Sequence, residues 1–166
     1  GSIGARLSQL LRPFTPHLWG VRRQPSGDEG IPMLRFDDPK LPELLGQADH
    51  VVNLLPGADG TKQFFDAQRL AQLKPGAVFY NVGRGSTVDQ RALAALLTEG
   101  RLQAALLDVT DPEPLPPDHP LWATPNCFIT PHSAGGHHDE GDRLVDHFIE
   151  NLRRFERGEA VVDRAF

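Results

Sequence analysis

Short apolar runs alternate with amphipathic stretches along almost the whole chain, and no other feature constrains the fold as much. Strand-like runs fall at residues 18–21, 50–54, 77–81, 104–108 and 128–130, and helix-like stretches at 2–11, 41–46, 64–73, 89–99 and 139–157. A strand that returns to the same sheet through a helix does so as a crossover between parallel strands, so this order predicts an α/β fold around a parallel sheet. Gly76 and Gly100 mark two of the helix-to-strand passages, where a helix end favours a residue without a Cβ. The stretch 111–120, rich in proline and acid, fits neither period and reads as an active-site loop rather than a linker.

Composition narrows the function classes. With 166 residues, 39% of them hydrophobic, the chain is long enough for one sizeable core. A formal charge of −5 gives no electrostatic reason to expect nucleic acid or an anionic membrane as partner. No apolar run approaches the roughly 20 residues that span a bilayer, and no signal peptide is seen. The single cysteine, Cys127, excludes an internal disulfide and fits a reducing, cytoplasmic compartment; in the run Cys127-Phe128-Ile129 it reads as core filler.

Three residues carry chemistry, each in its own local setting. Arg84 lies in Asn81-Val82-Gly83-Arg84-Gly85, Glu113 in Asp111-Pro112-Glu113-Pro114, and His132 in Thr130-Pro131-His132-Ser133-Ala134-Gly135. A planar guanidinium matches a substrate carboxylate with two parallel hydrogen bonds. A carbonyl oxygen that becomes an alkoxide on hydride addition needs a proton, and histidine titrates nearest neutrality. A neighbouring carboxylate favours the imidazolium and fixes its tautomer. This is the equipment for reducing a 2-keto acid, with the same histidine as base in reverse. Taken singly, each residue also has a plain reading: Arg84 as a solvated turn residue, Glu113 as an exposed loop carboxylate, His132 as a structural histidine. Only a fold could bring the three together.

From about His50 onward the chain resembles the nucleotide-binding domain of the D-isomer-specific 2-hydroxyacid dehydrogenases. The resemblance rests on Leu54-Leu55-Pro56, Leu73-Lys74-Pro75-Gly76-Ala77, Ala105-Leu106-Leu107-Asp108-Val109 and the three motifs above, all in order. It implies that Arg84, Glu113 and His132 are the catalytic trio of an NAD(P)-dependent oxidoreductase, with a small 2-keto or 2-hydroxy acid as substrate. It also implies cofactor contacts from Leu55, Pro56 and Thr61 on the adenosine side and from Val82, Gly83 and Arg84 under the nicotinamide. Asp108 matches the residue that bonds the carboxamide, while His132 and Gly135 match the far wall. Pairing through the cofactor domains, hence a homodimer, is implied too. The same resemblance takes in transcriptional corepressors, so a non-catalytic dinucleotide-binding scaffold is the alternative reading.

The N-terminal half adds the choice of cofactor. Gly1-Ser2-Ile3-Gly4 reads as the last four positions of a Gly-x-Gly-x-x-Gly fingerprint, which puts Ser2 and Ile3 beside a pyrophosphate; an expression scar is the other reading of Gly1-Ser2. In that register Arg22 and Arg23 end the second strand, where an acid would accept the ribose 2′-hydroxyl and an arginine accommodates a 2′-phosphate. NADP is therefore preferred to NAD, and Asp28 and Glu29 come too late in sequence to be the ribose acid. A glyoxylate or hydroxypyruvate reductase fits this cofactor, with 3-phosphoglycerate and D-lactate dehydrogenases as runners-up.

The expected fold is thus a Rossmann-like doubly wound parallel sheet over residues 1–166 that lacks its first strand and the substrate-binding domain. The helix at about 139–157 is expected to pack toward that missing domain, and the fragment alone is expected to be inactive. Two departures from the family stand out. Gly57-Ala58-Asp59-Gly60 is rich in glycine, and the adjacent His137-His138 invites a metal reading that fails for want of further ligands at suitable spacing.

Overall fold

A computed structural model describes residues 1–27, 29–136 and 138–163; Asp28, His137 and residues 164–166 lie outside the described residues. Two compact units divide the chain, Gly1–His132 and Ser133–Phe166.

The first unit is α/β, as the alternation predicts. Helix α1 (Ser2–Leu11) leads to β1 (Gly20–Arg22), which pairs in parallel with β2 (Met33–Arg35). Then follow α2 (Leu41–Gln47), β3 (His50–Asn53), α3 (Ala67–Ala71), β4 (Val78–Asn81), α4 (Gln90–Thr98), β5 (Ala104–Leu107) and β6 (Cys127–Ile129). Strands β3 to β6 form a four-stranded sheet in sequence order, parallel throughout, so their C-terminal ends share one edge. A doubly wound sheet of order 3-2-1-4-5-6 without its strand 1 would leave a pair and a triplet; the pair β1-β2 and the four strands β3 to β6 follow that order with one further parallel strand at the outer edge. The Rossmann-like expectation is met in that form.

Alternation along the strands sets the core. Val51, Phe79 and Ala105 turn inward against Leu41 and Leu45 of α2, Leu70 of α3, and Leu93 and Leu97 of α4. The other face of the sheet leaves Val52, Leu106 and Phe128 exposed. Asp89 caps α4 by accepting from the amides of Arg91 (3.1 Å) and Ala92 (3.0 Å), a type of contact worth about 1 kcal/mol. Gly100, at φ 69°, follows that helix where a left-handed residue is needed. Cys127 packs against the core, and burial pushes its thiol up to about 11.

Two elements depart from the sequence reading by more than one residue, and one strand is new. Helix α3 begins at Ala67 instead of residue 64, because Phe65 bridges Val88 in extended form and packs edge-on against Phe79 (centroids 5.0 Å apart). Asp66 then starts the helix by accepting from the Arg69 amide (2.8 Å). Strand β1 lies at 20–22 rather than 18–21, and β2 was not anticipated. Only Leu34 of β2 is buried, too little to show a period in sequence.

The second unit is built on α5 (Glu140–Glu156), with Glu140 and Asp142 in its first turn and Arg153 and Arg154 in its last, as the helix dipole favours. Asn151 ties it to the following chain by accepting from the Val162 amide (2.8 Å). Its apolar stripe of Leu144, Val145, Phe148, Leu152 and Phe155 is exposed. Among the described residues no helix is long and apolar enough to cross a membrane.

Candidate active site

The three chemical residues follow the ends of three adjacent parallel strands. Arg84 comes just after β4, Glu113 after β5 and His132 after β6, so the sheet order β4-β5-β6 carries all of them to the C-terminal edge. Ligands of open α/β sheets bind outside that edge.

His132 and Glu113 meet directly, with Nδ1 of the ring 2.7 Å from Oε1 of the carboxylate. Their side chains are 46% and 39% exposed, so the pair opens to solvent. His132 has φ 53°, an uncommon conformation for a non-glycine residue, and its amide donates to the Thr130 carbonyl (3.0 Å). The loop that carries Glu113 is braced at its start. Gln90, from the first turn of α4, accepts from the Asp111 amide (3.2 Å) and donates to the Asp111 carbonyl, while the Thr110 hydroxyl donates to the Pro112 carbonyl (3.0 Å). Further on, buried Leu115 and Leu121 anchor the loop in the core.

Arg84 is exposed, and its guanidinium Nη1 donates to the Gly83 carbonyl (2.7 Å). Its backbone is fixed from both sides. A Cβ on Gly83 would lie 2.5 Å from the Leu55 carbonyl oxygen, and one on Gly85 would lie 2.0 Å from the Thr110 carbonyl. The two glycines let the Arg84 turn press between the loop after β3 and the loop that leads to Glu113. Beneath the turn lies a buried polar cluster. Asn53 donates to Asn81 Oδ1 (2.9 Å) and Thr87 Oγ1 (2.7 Å). Asn81 and Thr87 both donate to the Arg84 carbonyl, at 3.2 and 2.6 Å. Asn53 Oδ1 also accepts from the Leu55 amide (3.1 Å), so one side chain links two loops. The structure thus places Arg84 beside the loop that carries Glu113, and Glu113 against His132.

Apart from Gly135, the residues expected to hold a dinucleotide lie in the first unit, in α1 or at and after the ends of its strands. Ser2 and Ile3 are exposed in the first turn of α1, which no side chain among the described residues caps and which contains no acid. Its amides are therefore available to an anion. Position 4 of that turn is in contact range of Leu54, just past β3. Val82 is exposed, Leu55 half-buried and Pro56 exposed. Asp108 is buried at the end of β5 and accepts from the Thr130 hydroxyl (2.5 Å). Thr61 is buried too, and its hydroxyl donates toward the Pro56 and Ala58 carbonyls and accepts from the Ala58 amide (3.1 Å), so it braces its own loop instead of facing outward. Gly135 lies in the second unit, exposed, with open space around it.

The strand-end arginines are treated differently from each other. Arg22 Nη1 lies 3.1 Å from Glu29 Oε1, whereas the Arg23 guanidinium rests against Gly60, where a Cβ would come within 2.4 Å of Nη2. Glu29 is seven residues on, yet the loop folds it back to the strand end, where its carboxylate pairs with Arg22. Asp28 and His137 lie outside the described residues. A cationic strand end, an uncapped helix start and loops at the C-terminal edge are a donor set that fits a dinucleotide. Sequence reading missed Asn53, Thr87, Gln90 and Thr110, although Asn53 and Asn81 stand at paired positions in the last turn of two apolar runs.

Comparison with known proteins agrees. The family described as D-isomer specific 2-hydroxyacid dehydrogenase, NAD binding domain, matches residues 1–134. Glyoxylate/hydroxypyruvate reductase B of Escherichia fergusonii is 39% identical over 155 residues, 92% of this chain and 47% of that protein. Among solved structures, a probable 2-hydroxyacid dehydrogenase from Rhizobium etli CFN 42, in complex with NADP, HEPES and L(+)-tartaric acid, superposes with a TM-score of 0.85 at 33% identity, over 98% of this chain and 51% of its own. A D-isomer specific 2-hydroxyacid dehydrogenase from Xanthobacter autotrophicus Py2, in complex with NADPH and MES, gives 0.77 at 38% identity, over 89% and 60%. The chain spans about half the length of the curated relatives it matches. It belongs, through its NAD-binding domain, to the D-isomer-specific 2-hydroxyacid dehydrogenase family.

Proposed function

We propose that the chain is the cofactor-binding part of an NADP-preferring reductase that interconverts a 2-keto acid and a D-2-hydroxy acid, with glyoxylate or hydroxypyruvate as substrate. The observation that carries this reading is the 2.7 Å contact between His132 Nδ1 and Glu113 Oε1, at the sheet edge that also bears Arg84. Ser2 and Ile3 would hold the pyrophosphate through their amides, Arg22 and Arg23 the ribose side, and Leu55, Pro56, Val82, Gly83 and Asp108 the remainder. The bound dinucleotide supplies the hydride. Arg84 pairs with the substrate carboxylate and orients the carbonyl. Glu113 accepts a hydrogen bond from Nδ1–H of His132, which stays protonated there and leaves Nε2–H to give its proton to the oxygen as it becomes an alkoxide. In the oxidative direction Nε2 takes that proton back.

Support for the substrate and cofactor comes from the relatives: one carries the name glyoxylate/hydroxypyruvate reductase, and two solved neighbours hold NADP or NADPH. Turnover belongs to a polypeptide that also carries a substrate-binding half, since closure over the reacting carbonyl excludes water. Titration of the 166-residue chain with NADPH and NADH, followed by nicotinamide fluorescence, should show saturable binding that is tighter for NADPH. In the two-domain protein, His132→Gln should lower kcat about 10²–10⁴-fold with cofactor affinity retained. Absence of binding to either nucleotide, or full activity of the variant, contradicts the proposal.

A further inference from the structure

Among the described residues, the loop that follows β1 closes on the carboxylate of Glu29. Glu29 Oε1 accepts from the Ser26 amide (2.6 Å), the Ser26 hydroxyl (2.9 Å) and Arg22 Nη1 (3.1 Å), and Oε2 accepts from the Gly27 amide (2.9 Å). The Glu29 side chain is only 15% exposed, against 40% for Arg22. Two backbone amides, a hydroxyl and a guanidinium that converge on one point are the donor set of an anion site, and the chain's own carboxylate fills it. The Ser26 amide, above all, holds the carboxyl down to about 2, so the occupant is charged at every working pH. Arg23 has no ion-pair partner among the described residues and lies against Gly60.

We propose that Glu29 is a specificity-determining residue that competes with the cofactor's 2′-phosphate for Arg22 and the Ser26–Gly27 amides. The inference rests on reading Arg22 and Arg23 as the ribose-side contacts. A 2′-phosphate reaching this strand end either displaces Glu29 from four donors or binds outside the loop through Arg23. In both cases it gains less from Arg22 than a bare guanidinium would offer, and its negative charge meets that of Glu29. A nucleotide without the phosphate meets no such competition. The preference for NADP over NAD is therefore smaller than two adjacent arginines at a strand end imply, and residue 29 sets its size.

The test uses adenosine 2′,5′-bisphosphate and AMP as probes, titrated calorimetrically into the 166-residue chain and its variants. Glu29→Gln keeps the size of the side chain and an acceptor for the Ser26 amide but removes the charge. It should tighten bisphosphate binding about tenfold, the worth of one charge-assisted contact, and leave AMP unchanged. Arg22→Ala in the Glu29→Gln background should erase that gain. In the wild-type chain, which needs no substitution to fold, the Glu29 side-chain carbon resonance should shift on addition of bisphosphate and stay still with AMP. Equal bisphosphate affinity in wild type and Glu29→Gln overturns the proposal, whether or not the Glu29 resonance moves. If wild type still prefers bisphosphate and loses this in Arg22→Ala/Arg23→Ala, the NADP reading survives that failure; if no protein distinguishes the two probes, both readings fall.

Discussion

Glu29 and His132 illustrate how a residue's neighbours settle what its side chain can do. Glu29 sits seven positions beyond Arg22, and its carboxylate takes the place a cofactor phosphate would seek. Because its folded value lies below the ordinary 4.5, the closed loop favours the ionised form: the contribution is complete above about 4.5 and is lost as pH falls through about 2. An NMR titration of the Glu29 carboxyl carbon should therefore stay flat between pH 5 and 3, where a freely solvated glutamate would titrate near 4.3. A transition inside that window would show that Ser26 and Gly27 do not hold the carboxylate. For His132 the deciding neighbour is Glu113, whose carboxylate engages Nδ1 and leaves Nε2 as the ring nitrogen that this pair does not use.

Elements matter here for what their ends press together. The Arg84 turn is wedged between two loops because residues 83 and 85 lack a Cβ, and it rests on the Asn53–Asn81–Thr87 cluster. Gly85→Ala should force the Thr110 carbonyl away and cost about 1–3 kcal/mol, the range for an overpacked site. Gly135→Ala, with nothing near its Cβ, should leave stability unchanged. Asn53→Ala strips partners from two buried polar groups and should cost about 1–3 kcal/mol by urea denaturation. Similar midpoints for Gly85→Ala and Gly135→Ala would mean that the backbone contact at Thr110 is looser than described.

At the scale of the whole molecule the uneven sheet is the main fact. The four-stranded sheet has a helix-covered face, whereas β1 and β2 form a separate pair, and isolated two-stranded pairs are marginal. Hydrogen exchange should therefore find the amides of Phe79 and Ala105 protected far more strongly than those of Val21 and Leu34; equal protection would mean the two sheets unfold as one unit. The order of elements, the family motifs and the identities of Arg84, Glu113 and His132 could be read from the chain, because strand and helix periods and short motifs are local properties. Strand β2 and the true start of α3 could not, since one buried leucine carries no period and the packing of Phe65 on Phe79 is a long-range contact. The sequence by itself determined the α/β class and the chemical groups on offer. Only the tertiary structure decided that Glu113 reaches His132, that Gly85 presses on Thr110 and that Glu29 folds back on Arg22, because each of these contacts joins residues that only chain folding brings within a few ångströms.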